Sequence, residues 1–468
     1  MKLKLIAAAA ALAASQAYAV APGTAADIEF FISGASAQDK NIGNYIENHL
    51  CVAGTFDSFL EGTKGKSYRA WSCEVNTAKV TEADAGDVLV IHKRSKGGSG
   101  WGVVPVAQQA VIERMDLPNA NCADADGDRT WNCDAVLTTD TPLVGVSDVE
   151  PQVFKGLNAV SDFGDVTSTD VAALTTFAQS QLVFGVPVTT ELRNALQLAQ
   201  GLTVGEEDEA NMPNLSSNLV RSLFTGQVTS WMDVVGPDGT DIYSAADAAG
   251  MPVPTSDQVS LCVRTSGSGT RAQFMINFLR TSCLDASVAP FLAEGGEYPA
   301  VQSNPGSGDM GNCVADFANN GWSIGYQSTE KNMDRGDNYR FVKIDGAAPT
   351  LENVANDKYL DWVEQSLQYN TAAYNAADAL TQKVIDLIAE ESGQPSIIAG
   401  LNTKYQHLWG QGGYMAKPTD QDGIQPPAFP FDLAYPVNRT TRTPAGTSPD
   451  SCRPPVHVFY AWPGAVGF

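Results

Sequence analysis

The stretch DQVSLCVRTSGSGTRAQF, Asp257 to Phe274, decides how the chain reads. Its first half reads as a buried strand that delivers Arg264 to its end. From Thr270 the residues read as a helix with Phe274 and Phe278 on one face. Between the two lie only small residues and hydroxyls. A helix start after such a loop offers free N–H groups and the positive end of its dipole. The glycines allow close backbone approach, Ser268 and Thr270 add hydroxyl donors, and the Arg264 guanidinium can hold two oxygens at once. Together these suit a tetrahedral oxyanion. An ordinary strand–helix turn, with serines capping the helix, competes with that reading on this stretch alone.

Outward from it, the same grammar recurs. ADIEFFI (Ala26 to Ile32) is a strand that ends at the small-residue turn SGASAQDK. DVLVIHK (Asp87 to Lys93) is a second strand, running into RSKGGSG. TPLVGVSDVEP is a third, with Ser147-Asp148 at its end. SQLVFGVPVTT (Ser180 to Thr190) is a continuous apolar run of the kind found in buried strands, and GWSIGYQS is a short buried one. Ala377 to Glu391 carries a helical stripe of Leu380, Val384, Leu387 and Ile388 closed by Gly393. Strands alternating with helices predict an α/β architecture with loops gathered at strand ends. From Gln425 onward the chain is Pro-rich, and an extended segment wrapping the body is expected.

Residues 1–19 read as a signal peptide. Lys2 and Lys4 precede an apolar run from Leu5 to Ala14, and Ala17-Tyr18-Ala19 has a small-x-small cleavage pattern. That run is too short to span a bilayer, so export without membrane insertion is expected. The remaining chain is too long for one ordinary domain. In an oxidising compartment the eight cysteines favour disulfides. Cys122–Cys133 is the tightest candidate, with Cys51–Cys73 and Cys283–Cys313 as local pairs and Cys262–Cys452 left over. A net charge of −24 argues against nucleic acid and anionic membrane as partners. It says little about a small buried anion, because surface carboxylates are screened beyond roughly 8–10 Å.

An aspartate beside an anion site has a use: Asp148 can accept a hydrogen bond from a protonated phosphate oxygen, whereas it repels sulfate. Other chemistries find less support. SGSGTR lacks the spacing of a nucleotide P-loop. There are only four histidines, none at metal-ligand spacing with another, and no GxSxG. No enzyme, metal or cofactor is therefore expected. DADGD (Asp124 to Asp128) resembles part of a calcium loop without its late glutamate, and a solvated acidic turn is the preferred reading.

Six pieces in order resemble the phosphate-binding proteins of bacterial phosphate ABC transporters, within the two-domain periplasmic binding proteins. They are GASAQ (Gly34 to Gln38), RSKGG, GVSD, LFTGQVTSW (Leu223 to Trp231), RTSGSGT and GDMGNCVADFANNGWSIGY. The resemblance implies an α/β, two-lobed Venus-flytrap fold with two crossover hinge strands. Lobe 1 would span residues 20–181 plus 342–468, including the Pro-rich extension, and lobe 2 residues 182–341. It implies oxyanion contacts from Ser95, Asp148, Arg264, Ser268, Gly269 and Thr270. Gln38-Asp39 departs from the family's Thr-Phe, so Gln38 would offer an amide in place of a hydroxyl. Phosphate or a similar oxyanion and an inner-membrane ABC permease are the implied partners, in the periplasm or outside the cell. A secreted structural or surface protein with altered or lost anion binding is the alternative.

Overall fold

The computed structural model describes residues 24–62, 67–134, 136–281, 300–418, 430–444 and 447–458. The signal-peptide reading of residues 1–19 lies outside them. In chain order the strands that position the site are β1 (Ile28–Gly34), β2 (Asp57–Glu61), β3 (Tyr68–Glu74), β4 (Val88–Arg94), β5 (Thr130–Asp134) and β6 (Val144–Ser147). Then follow β7 (Leu174–Thr189), β8 (Ser260–Arg264), β9 (Ala300–Asn304), β10 (Ser323–Ile324), β11 (Tyr339–Ile344) and β12 (Trp362–Asn370).

β1 lies between parallel neighbours β4 and β6, so the loops after all three emerge at one edge. β3, β2 and β5 extend that sheet outward. In the other half, β8 runs parallel to β9 and β10. The long β7 belongs to both halves. Leu174 to Val183 pair with Asn370 to Trp362 of β12, and Val186 to Thr189 pair with Val342 to Tyr339 of β11. β12 in turn pairs with β6. The α/β, two-lobed architecture thus turns on two adjacent antiparallel strands.

Each half has its own apolar core. Ile28, Ile32, Ile42, Leu89, Ile91 and Val146 pack with Leu367, Val384 and Ile388 on one side. Val186, Leu223, Trp231, Val263, Phe274 and Trp322 pack on the other, joined there by Val342, Leu351, Tyr359 and Trp362. The helix read from its stripe forms over Ala379–Glu391, capped by the Asp378 side chain accepting from the Thr381 N–H at 2.8 Å. Gly393 has a packing reason: a Cβ there would sit 2.0 Å from the Gln179 carbonyl oxygen.

The crossing is apolar at its Leu182–Val188 end and around Phe177 and Leu367, whereas its centre is polar and buried. Ser180 donates to Gln365 at 3.0 Å and Gln181 to Glu364 at 3.1 Å. The chain after Pro436 supplies the remaining partners. Asn438 donates to Gln181 (2.6 Å) and Gln181 to the Thr440 carbonyl (3.0 Å). Thr441 and Thr443 donate to the two Glu364 oxygens, Arg442 reaches Asn277 at 3.0 Å, and Ser451 donates to Glu150 at 2.5 Å. Where described, the Pro-rich tail therefore straps the crossing.

Asp361 sits beside this strap. Asn277 donates to one of its oxygens at 2.9 Å, while Oδ2 has no hydrogen-bond partner among the described residues. Burial pushes its carboxyl from the ordinary 3.8 to about 7. The folded protein therefore keeps a proton that the unfolded chain releases near pH 4. This contribution is fully present below pH 4 and is lost as pH rises toward 7, at about 1.4 kcal/mol per unit. Asp361→Asn should leave urea stability at pH 4 nearly unchanged and raise it at pH 8. An equal effect at both values would mean the carboxyl does not titrate in this window.

Cys51–Cys73 and Cys122–Cys133 are bonded as expected. The remaining pairing is corrected: Cys262 bonds Cys313, with Cα atoms 5.9 Å apart, in place of Cys283–Cys313 and Cys262–Cys452. The reason is tertiary. The helix Ser307–Ala315 packs along β8 and brings Cys313 beneath Cys262. Cys452 is also disulfide-bonded, and Cys283 lies outside the described residues.

Candidate functional site

β8 ends at Arg264, which is only 4% exposed. Its guanidinium is fixed on three sides. Nε donates to the Asn304 carbonyl (3.1 Å), Nη2 to that of Pro305 (3.0 Å) and Nη1 to the Ser307 hydroxyl (3.0 Å). Ser268 caps the following helix, accepting from the Arg271 N–H at 3.3 Å. The capping reading of this serine is thus correct, and its hydroxyl is engaged in the cap. Thr270 stands where the two halves meet. Its Oγ1 accepts from Arg264 Nη1 at 3.4 Å and donates to Asp148 Oδ2 at 3.3 Å.

Asp148 is buried, and its second oxygen, Oδ1, lacks a well-formed hydrogen bond among the described residues. Burial raises its carboxyl to about 6; Arg264 pulls the other way, Glu330 adds to the rise, and the Gln365 side chain lies close enough to lower it. Its backbone N–H donates to the Ser99 hydroxyl at 3.2 Å. Gly269 faces this pair so closely that a Cβ would meet Ser99 Oγ at 2.2 Å and Asp148 Cβ at 2.7 Å. The loop is also sewn to the opposite half by backbone. Gly100 donates to the Gly267 carbonyl at 2.8 Å, and Asn158 bonds both the Gly267 N–H (3.1 Å) and the Ser268 carbonyl (3.3 Å).

Arg264, Ser268, Gly269, Thr270 and Asp148 are therefore brought together. Ser95 and Gln38 are held in other contacts. The Ser95 hydroxyl donates to the Asp39 carboxylate at 2.8 Å and accepts from Lys93 at 3.0 Å. Asp39 is also ion-paired to Arg69 and Lys93, each at 3.0 Å. The Gln38 amide donates to the carbonyls of Ser147 (2.7 Å) and Ser366 (3.1 Å). Three residues of the site went unread. Ser99 lies in the same RSKGGSG turn as Ser95, and Ser307 lies in SNPGSGD; a hydroxyl in a Gly-rich turn was the available signal for both. Asn158 carried none. In the DADGD turn, Asp124 accepts from the Gly127 and Arg129 N–H groups and Asp128 from that of Thr130, as in an acidic turn.

Two α/β lobes joined by adjacent crossing strands thus bring the strand ends of both together around one buried arginine. In sequence and fold the chain resembles the phosphate-binding proteins of bacterial phosphate ABC transporters. It is 22% identical over 198 residues to the phosphate-binding protein PstS of Bacillus subtilis strain 168, across 42% of this chain and 52% of that protein. The chain thus matches about half the length of that relative. No family model matches it. Among solved structures it is similar to a candidate phosphate ABC transporter substrate-binding protein with bound phosphate from Clostridium perfringens, at 15% identity and TM-score 0.42, covering 80% of this chain and 97% of that one. An ABC-type phosphate transport receptor from Vibrio cholerae is similar at 13% identity and TM-score 0.40, covering 80% and 98%.

Proposed function

We propose that this chain is an exported solute-binding protein, not an enzyme, that captures phosphate or a related protonated oxyanion between its lobes for uptake through an ABC permease. One observation carries the reading: a buried guanidinium and a buried carboxylate with an oxygen lacking a well-formed hydrogen bond converge on the Thr270 hydroxyl. A cation beside an incompletely satisfied acceptor suits an anion that itself bears a proton. Arg264 would take the charge, Thr270 would donate, and Asp148 Oδ1 would accept the ligand's O–H. Charge-assisted hydrogen bonds contribute roughly 1.5–3 kcal/mol each, and micromolar affinity needs about 8 kcal/mol. Several must therefore act together. Contacts from both lobes make the ligand favour the closed state only by its differential affinity for that state.

Calorimetric titration of anion-stripped protein with phosphate and sulfate tests this. Phosphate should bind at pH 8 and sulfate should not. Below pH 6, where Asp148 becomes protonated and can donate, rejection of sulfate should weaken. Equal binding of the two anions at pH 8 would remove Asp148 from its assigned role. Binding of neither would leave the structural or surface reading in its place.

A further inference from the structure

A cavity of about 380 Å³ opens beside the helix Asp39–Tyr45. Its walls include Lys40, Phe56, Trp71, Met333, Lys404 and Tyr405. Those residues come from both halves: Lys40 and Trp71 belong with β1 and β3, while Met333 follows the strand paired to the far part of β7. Positive charge is concentrated here in a chain of net charge −24. Lys40 feels the repulsion of Lys331, Arg69 and Lys404 against the attraction of Glu330. The nearby carboxylates are largely committed, Asp39 to Arg69 and Lys93, and Glu330 to Lys331 at 3.1 Å. Glu47 remains on the exposed rim.

Neither Lys40 nor Lys404 forms an ion pair within 4 Å among the described residues, although the buried Glu330 carboxylate attracts Lys40. Lys40 Nζ donates to the Glu330 carbonyl at 3.3 Å and lies 5.0 Å from the centre of the Tyr405 ring. Burial, followed by the neighbouring cations, lowers its ammonium to about 8. A half-buried ammonium crowded by like charges gains when an anion arrives. Of the remaining walls, Phe56, Trp71, Met333, Leu401 and Tyr405 are aromatic or apolar and Asn44 is polar, and the volume falls within the range of small-ligand sites.

We propose that this cavity binds a small organic anion with a flat apolar body, its charged group meeting Lys40 and Lys404 and its body lying against Trp71 and Tyr405. Arg264, Asp148 and Thr270 do not line the cavity, and binding here does not depend on oxyanion capture at those residues. Because the cavity's walls come from both halves, an occupant would tie the segment around Met333 to the helix Asp39–Tyr45.

Phenyl phosphate is the probe, titrated calorimetrically into wild type, Arg264→Ala, Lys404→Gln and Lys40→Gln/Lys404→Gln. Thermal unfolding confirms that each variant is folded. Binding should be the same in wild type and Arg264→Ala, weaken several-fold in Lys404→Gln, and weaken at least about tenfold in the double variant, a change of about 1.4 kcal/mol. Inorganic phosphate should show the reverse dependence. Lys404 is exposed, so its replacement leaves the fold intact and keeps the test meaningful if the Lys40 variant fails to fold. Phenyl phosphate binding that disappears in Arg264→Ala, that ignores both lysines, or that is absent from wild type at about 10 mM, weaker than a millimolar site, would overturn the proposal.

Discussion

Replacing Arg264 with alanine is expected to weaken phosphate binding by about 100- to 1,000-fold, since truncating one partner of a buried charge pair costs roughly 2–5 kcal/mol. The size follows from how the guanidinium is held. Asn304, Pro305 and Ser307 fix its plane, so little rotational freedom is lost when a ligand arrives. Lysine at the same position keeps the charge and loses the planar fork, so Arg264→Lys should fall between alanine and wild type. Phosphate titration of the three proteins, each checked for thermal unfolding, measures the effect. An alanine variant within threefold of wild type would show that the anchor lies elsewhere.

A large loss of stability is expected from Asp39→Ala. Lys93 is fully buried, and its ammonium bonds Asp39 at 3.0 Å, the carbonyls of Gly34 (3.1 Å) and Arg94 (3.0 Å), and Ser95. Without the carboxylate, the buried ammonium keeps only neutral hydrogen-bond acceptors, with Asp148 as a more distant charge, and the Arg69 ion pair to Asp39 is lost as well. Breaking such a pair typically costs about 3–5 kcal/mol, whereas replacing both members with apolar groups is often close to neutral. Urea unfolding should therefore show Asp39→Ala/Lys93→Met to be more stable than Asp39→Ala alone. If the double variant is worse, the ammonium is held mainly by the carbonyls.

The readable part of this chain was whatever is decided over a few residues. The strand into Arg264, the Ser268 cap and a helix read from Thr270, which the structure begins at Gly269, all follow from one local stretch. Ser95 shows where local reading stops. Its turn is rich in glycine and hydroxyls, but which serine faces Asp148 depends on Asp39, 56 residues away, which engages the first hydroxyl and leaves the place to Ser99. Disulfide pairing failed for the same reason. Proximity in sequence favoured Cys283–Cys313, while the packing of a helix along β8 joined cysteines 51 residues apart. The polar centre of the crossing was invisible because its partners come from a tail far along the chain.

That tail changes what a pivot means in this molecule. Two bare crossing strands behave as a soft hinge, bending at small cost through a few backbone angles. Here Asn438, Thr441, Thr443 and Arg442 bridge Gln181, Glu364 and Asn277, and Ser451 ties the same segment to Glu150. Any rotation of one lobe on the other must stretch several buried hydrogen bonds at once. The pivot is therefore a stiffened joint, with a narrower swing and slower exchange than its two strands alone would give. A guest held in the cleft would be retained partly by the mechanics of the joint, beyond the contacts it makes itself.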